Sequence, residues 1–163
     1  YLCRHYGLEE VADYWHQVIK INDYQKDRFA QKIIDHFEGD LTGQKIAVLG
    51  WAFKANTNDS RESPAIYVAE KLFNAGAILE IYDPMVSKES IFRDIDFYWE
   101  SPKTKDLKSR ISVLDSISTL DLSNDATAIL TEWEAFKRHD FSKTIVFDGR
   151  GVLSSSTYSI GKG

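Results

Sequence analysis

The stretch from Lys45 to Pro64 constrains this chain most. Ile46–Leu49 is an unbroken aliphatic run with no polar alternation, as a strand buried on both faces requires, and Gly50 ends it. Further on, Ser63 stands as an N-cap with Pro64 at the first helical position, so a helix is predicted to start there. A strand, loop and helix in that order point backbone N–H groups and the positive end of a helix dipole at the sheet's C-terminal edge, where anions are held. Lys54 and Arg61 fall in this loop. One glycine is not a Gly-x-Gly-x-x-Gly fingerprint, and there is no Gly-Lys-Ser/Thr, so the pattern leaves two readings open: an anion-binding loop, or a plain connection carrying solvated cations.

The rest of the chain repeats the unit. Ile78–Tyr82 reads as a second strand closed by Asp83-Pro84, with a crossover helix stopping near Asn74–Gly76, which implies parallel, right-handed pairing. Short strands are predicted over Ile111–Leu114, Thr127–Leu130 and Thr144–Phe147, with helical turns over Ser116–Leu122 and Glu134–Arg138 between them. The expected fold is therefore α/β: a Rossmann-like open parallel sheet of about five strands flanked by helices. Lys54, Asp83, Glu132 and Arg150 each come after a strand and are expected on one rim. Asp83 has two readings, a ribose-binding acid or a turn initiator, and the missing glycine fingerprint favours the turn. Met85–Arg110 reads as a short helix near Lys88–Ile91 and then an exposed insertion with a Lys/Asp cluster over Lys103–Lys108; Phe97-Tyr98-Trp99 has two readings, a platform for stacking a base or, favoured, an anchor of the loop to the domain.

Ahead of the sheet, Glu9 to Phe37 contains no Pro or Gly and repeats apolar residues at Val11, Trp15, Val18, Phe29, Ile33 and Phe37. That predicts one helix roughly 43 Å long, more than a domain of this size needs, so its front half must pack on something else. Asn22 and Gln25 lie on the same stripe; they either fix register in a helix-pairing seam or mark where the helix passes from one core to another. The expected organisation is residues 1–38 as an inter-domain or dimerisation helix, 39–153 as a ligand-binding domain and 154–163 as a flexible tail.

Composition narrows the function. The 163 residues suit one α/β domain, and 43% hydrophobic with 28% charged residues is ordinary for a folded soluble chain. A net charge of −5 without a Lys/Arg block argues against duplex nucleic acid, so an anionic ligand must be met by a few placed cations. Cys3 is the sole cysteine, which rules out an intrachain disulfide and makes a reducing, cytoplasmic setting the expectation. No apolar run approaches membrane-span length. His5, His16, His36 and His139 have no metal-ligand spacing, so no metal is expected. The chain opens at Tyr1 in structured sequence and reads as part of a longer protein.

Several motifs resemble one family. Gly-Trp-Ala-Phe-Lys at 50–54 with Asp-Ser-Arg-Glu-Ser-Pro at 59–64, the run Tyr14–Phe29, Leu-Thr-Glu-Trp-Glu-Ala-Phe at 130–136 and Phe-Asp-Gly-Arg at 147–150 are similar to the UDP-sugar-binding domain of the UDP-glucose/GDP-mannose dehydrogenase family. They keep the family's order over most of the chain, and the Tyr14–Gln25 portion is most similar to the branch acting on UDP-glucose. The resemblance implies that Phe53 and Lys54 contact the UDP-sugar, that Arg150 holds the diphosphate, and that Arg61 reaches NAD bound on another domain. It also implies that the long helix joins two domains and carries much of a homodimer or higher homo-oligomer contact.

The family oxidises its sugar alcohol in two NAD-dependent steps through a cysteine in a Gly-Phe-Gly-Gly-x-Cys segment. Cys3 lacks those glycines and reads as a structural thiol, so no catalytic residue is assigned and the isolated chain is expected to be inactive. The alternatives are a sister domain for GDP-mannose or UDP-N-acetylmannosamine, and a non-catalytic binding or dimerisation module. By residue chemistry alone, Arg150 after Asp148 and Gly149 also reads as an ion-paired turn. Glu132 and Trp133 read either as an acid and a stacking platform or, favoured for Trp133, as a buried ring closing the sheet edge.

Overall fold

The computed structural model describes residues 1–100, 109–121 and 123–159. Expectations for Ser101-Pro102, the Lys103–Lys108 cluster, Leu122 and Gly161–Gly163 lie outside the described residues. The aliphatic run forms β1 (Lys45–Leu49), buried from Ile46 onward. Around it lie β2 (Ile78–Tyr82), β3 (Ile111–Val113), β4 (Ala126–Ile129), β5 (Ile145–Asp148) and β6 (Tyr158–Ser159). Neighbouring strands pair in parallel in the order β3-β2-β1-β4-β5-β6. This is the doubly wound order, and it reverses between β1 and β4, which opens a crevice beyond the strands' carboxyl ends.

Helices among the described residues include α1 (Leu2–His5), α2 (Glu9–His36), α3 (Pro64–Asn74), α4 (Lys88–Tyr98) and α5 (Glu134–Lys137). The signals read at α3 operate as expected. Ser63 Oγ accepts from Ala65 N–H with Pro64 at the first helical position. At the other end Gly76 N–H donates to Phe73 O and Ala77 N–H to Leu72 O, the paired closure of a helix ended by a residue of positive φ, here +107°. The core joins Ile46, Val48, Leu49, Leu79, Ile81, Ile129 and Phe147 from the sheet to Ile66, Leu72 and Ile33 from the helices.

Helix α2 spans 28 residues, about 42 Å, and only its C-terminal part is rooted. Phe29, Ala30, Ile33 and Ile34 are buried, and the helix packs against α3. Farther forward, Tyr14, Trp15, Val18, Ile19, Ile21 and Tyr24 are exposed, Trp15 at 58%.

Two segments differ from expectation. Instead of stopping near Ile91, α4 continues to Tyr98; Ile91, Ile95 and Trp99 bury against the core, and Trp99 Nε1 donates to Ile66 O at 3.0 Å. Charged residues between these positions hide the helical stripe. The segment read as a tail contributes β6: Tyr158 stacks on Phe147 at 4.7 Å and its hydroxyl lies 3.2 Å from His36 Nδ1. A two-residue strand carries no periodic signal, so tertiary contacts alone define it.

Candidate functional site

Gly50 sets the shape of the crevice. It has φ +91°, and a Cβ there would lie 2.5 Å from Thr131 Cβ and 2.6 Å from Thr131 N, so only glycine lets the β1 loop pass against the β4 loop. Thr131 Oγ1 then donates to Ala52 O at 2.6 Å and ties the two loops together.

Two buried carboxylates brace the loop after β1. Asp83 Oδ2 accepts from Trp51 N, Ala52 N and Trp133 Nε1 at 2.7, 2.9 and 3.1 Å. Its Oδ1 accepts from Met85 N and Val86 N at 2.8 and 2.9 Å. The turn reading of Asp83 therefore holds in part, but the same side chain also anchors the β1 loop and the buried Trp133. Asp94 Oδ2, from α4, accepts from Trp51 Nε1 at 3.0 Å and Ser60 Oγ at 2.6 Å. Nothing in the sequence singles out Asp94, because an acid in a polar helix reads as solvated surface.

Between these supports the loop carries its exposed residues. Phe53 N–H donates to Asp59 O at 2.8 Å, closing a short excursion that contains Lys54 and Asn56. Asn56 at φ +62° and Glu62 at φ +57° take left-handed conformations, which cost about 1–3 kcal/mol each for such residues and persist where surrounding contacts fix the backbone.

Phe53, Lys54 and Arg150 line one cavity of about 540 Å³. Leu130, Gly149 and Phe29 form its apolar portion, while Asn22, Gln25 and Lys26 enter from α2. Asn22 and Gln25 thus stand where α2 leaves the core, facing this cavity. Arg150 is held by its neighbours: Nε donates to Leu130 O at 2.8 Å, Nη2 to Phe53 O at 3.4 Å, and Glu132 lies 3.7 Å away. Its own backbone N–H donates to the buried Asp148 Oδ1 at 3.0 Å. The turn is thus closed by the backbone N–H on Asp148, while the guanidinium pairs with Glu132 from the β4 loop, in a pair exposed enough to contribute little stability.

Charge in the cavity is unevenly satisfied. Lys26 pairs with Asp23 at 2.7 Å and sits 4.0 Å over the Tyr67 ring. Glu62 accepts from the Tyr67 hydroxyl at 2.7 Å, and burial, reinforced by that carboxylate, pushes the phenol well above its ordinary range. Among the described residues Lys54 forms no ion pair and Arg150 has only the long, exposed pair with Glu132, so these are the cations placed to meet an anion. An aromatic ring, a free ammonium and an oriented guanidinium around an apolar floor suit a ligand with a ring and a diphosphate.

Arg61 does not join them. Its side chain is 82% exposed and forks onto Asp59, Nε to Oδ1 at 2.9 Å and Nη2 to Oδ2 at 2.8 Å. The Arg61 hydrogen bonds hold the Asp59 carboxyl down at about 2. A larger open concavity of about 750 Å³, lined by His139, Phe141, Thr144 and Ser154–Thr157 among others, contains none of the predicted site residues. Among the described residues no three His, Cys, Asp or Glu side chains cluster to hold a metal ion.

Strand order and crevice together define a doubly wound α/β domain, a class in which ligands are taken at the carboxyl edge of the sheet. A model of the UDP-glucose/GDP-mannose dehydrogenase family, UDP binding domain, matches residues 47–155, and the chain belongs to that family. It is 40% identical to UDP-glucose 6-dehydrogenase 2 of Oryza sativa subsp. japonica, with 99% of this chain and 39% of that protein covered. It is 41% identical to UDP-glucose 6-dehydrogenase 3 of Arabidopsis thaliana over the same shares. Among solved structures, a UDP-glucose dehydrogenase from the hyperthermophilic archaeon Pyrobaculum islandicum superposes with a TM-score of 0.72 at 26% identity, covering 98% of this chain and 33% of that one. The chain therefore spans about two fifths of the length of the curated relatives it matches.

Proposed function

We propose that this chain is the UDP-sugar-binding part of an NAD-dependent UDP-glucose 6-dehydrogenase, which oxidises UDP-glucose to UDP-glucuronate. The convergence of Lys54 and Arg150 beside Phe53 in one cavity carries the reading. Lys54 supplies a compact positive charge to the diphosphate, Arg150 supplies an oriented fork, and Phe53 packs against the nucleotide or sugar. Residues 39–153, with Phe29–Ile34 of α2 and the strand β6 packed onto them, act as the binding domain, and the front of α2 links it to the rest of the enzyme and to a second copy.

The chain's own residues do not fit a dinucleotide in this crevice. The junction after β1 has Gly50 alone where a glycine fingerprint would stand, and both oxygens of Asp83 are engaged by N–H donors. NAD is accordingly assigned to another part of the enzyme, with the exposed Arg61 as this chain's contact. No catalytic residue is assigned here, and the isolated chain binds without oxidising.

The experiment is calorimetric titration of the chain with UDP. Lys54→Ala and Arg150→Ala, each removing a charge-assisted contact, are expected to weaken binding by about 10- to 100-fold. Unchanged affinity in both variants would reject the site. Among rivals, a domain for GDP-mannose would prefer GDP to UDP in the same titration.

A further inference from the structure

We infer that Asp94 is a positioning residue for the binding loop: from α4, its buried carboxylate holds both ends of the loop and thereby sets where Lys54 stands in the cavity. The inference rests on the UDP-site reading. Trp51, which donates its Nε1 proton to Asp94 Oδ2, is the first residue after Gly50, while Ser60, whose hydroxyl donates to the same oxygen, lies just before the loop joins α3. Phe53 and Lys54 lie between these tethers. Asp94 is 8% exposed, and Trp51 is fully enclosed.

Hydrogen bonds to a buried carboxylate are stronger than neutral ones, and removing their acceptor leaves buried donors unsatisfied. The loop has reason to move once released, since Asn56 and Glu62 hold left-handed conformations against their intrinsic preference. Asp83 cannot replace this contact: it restrains the backbone N–H groups of Trp51 and Ala52 at the loop's entry, whereas Asp94 alone of the two reaches Ser60 at its exit. Helix α4, distant in sequence from both cations, thus shapes the binding site through one side chain.

The test is UDP titration of the chain bearing Asp94→Ala, Asp94→Asn and Ser60→Ala, with circular dichroism to establish that each variant is folded. Asp94→Ala is expected to weaken UDP binding about tenfold, and Asp94→Asn, which retains an acceptor oxygen, to recover part of that loss. Ser60→Ala, which removes the exit tether without leaving an unpaired donor, is expected to weaken binding by a smaller factor. In a Lys54→Ala background the effect of Asp94→Ala should shrink, because one of the side chains it positions is gone. Loss of folding in Asp94→Ala leaves Asp94→Asn and Ser60→Ala as the deciding pair, and wild-type affinity in both would overturn the inference. So would a penalty of the same size with and without Lys54, the mark of a merely structural role. Failure of the underlying site reading is separate: there, Lys54→Ala and Arg150→Ala themselves leave UDP binding untouched.

Discussion

At the residue scale, the two cations differ in how the fold prepares them. Arg150 is oriented by Leu130 O and Phe53 O before any ligand arrives, and its backbone is fixed by Asp148. Lys54 has no ion-pair partner among the described residues and depends on the loop for its position. Both were legible in the sequence because each comes after a strand that ends at the carboxyl edge. Asp83 was half legible, as a turn, and Asp94 was not, because burial of an acid is decided by donors from elsewhere in the chain. Arg61 makes a separate prediction through Asp59. With its pKa lowered to about 2 from the ordinary 3.8, Asp59 favours the folded loop at pH above the ordinary value, and this contribution disappears as pH falls through about 2. A carboxyl-carbon NMR titration should therefore give Asp59 a midpoint near 2, returning towards 3.8 in Arg61→Ala. An ordinary midpoint in the unsubstituted chain would show that the fork does not persist in solution.

At the scale of elements, α2 has two halves with different requirements. Its C-terminal residues from Phe29 to Ile34 are core, so the helix cannot be removed without unfolding the domain. Its front carries Tyr14, Trp15, Val18, Ile19 and Ile21 exposed together, an apolar stripe larger than isolated surface residues explain. On the reading of this helix as an oligomer contact, Trp15→Glu combined with Val18→Glu should lower the mass measured by light scattering to that of a single chain. Secondary structure should be unchanged, because both side chains are outside the core. An associated species that survives both charges would place the contact elsewhere. The length of α2 and the start of α3 were readable from apolar spacing and from Ser63-Pro64. The full extent of α4 was not, since Arg93 and the two acids Asp94 and Asp96 interrupt its stripe. The strand β6 was not readable either, as stacking of Tyr158 on Phe147 decides it.

At the scale of the whole molecule, local order in the sequence translates into one global arrangement. Repeated strand-helix units give a parallel sheet by right-handed crossover, and the observed order puts the loops after β1 and β4 on either side of the reversal, with the loop after β5 next to them. Residues Lys54 and Arg150, far apart in the chain, then share a cavity as a consequence of strand order. What sequence reasoning lacked was the wall from α2, where Asn22, Gln25 and Lys26 meet that cavity; the break in the apolar stripe marked the place without revealing its neighbour. No described helix is long and apolar enough to cross a membrane. A crystal structure of the chain with UDP would show whether this cavity grips a diphosphate between those two cations. Phosphate oxygens are expected within about 3 Å of both Lys54 Nζ and the Arg150 guanidinium, with the ligand resting beside Phe53. UDP bound at another surface, or in this cavity with its phosphates turned away from both side chains, would contradict it.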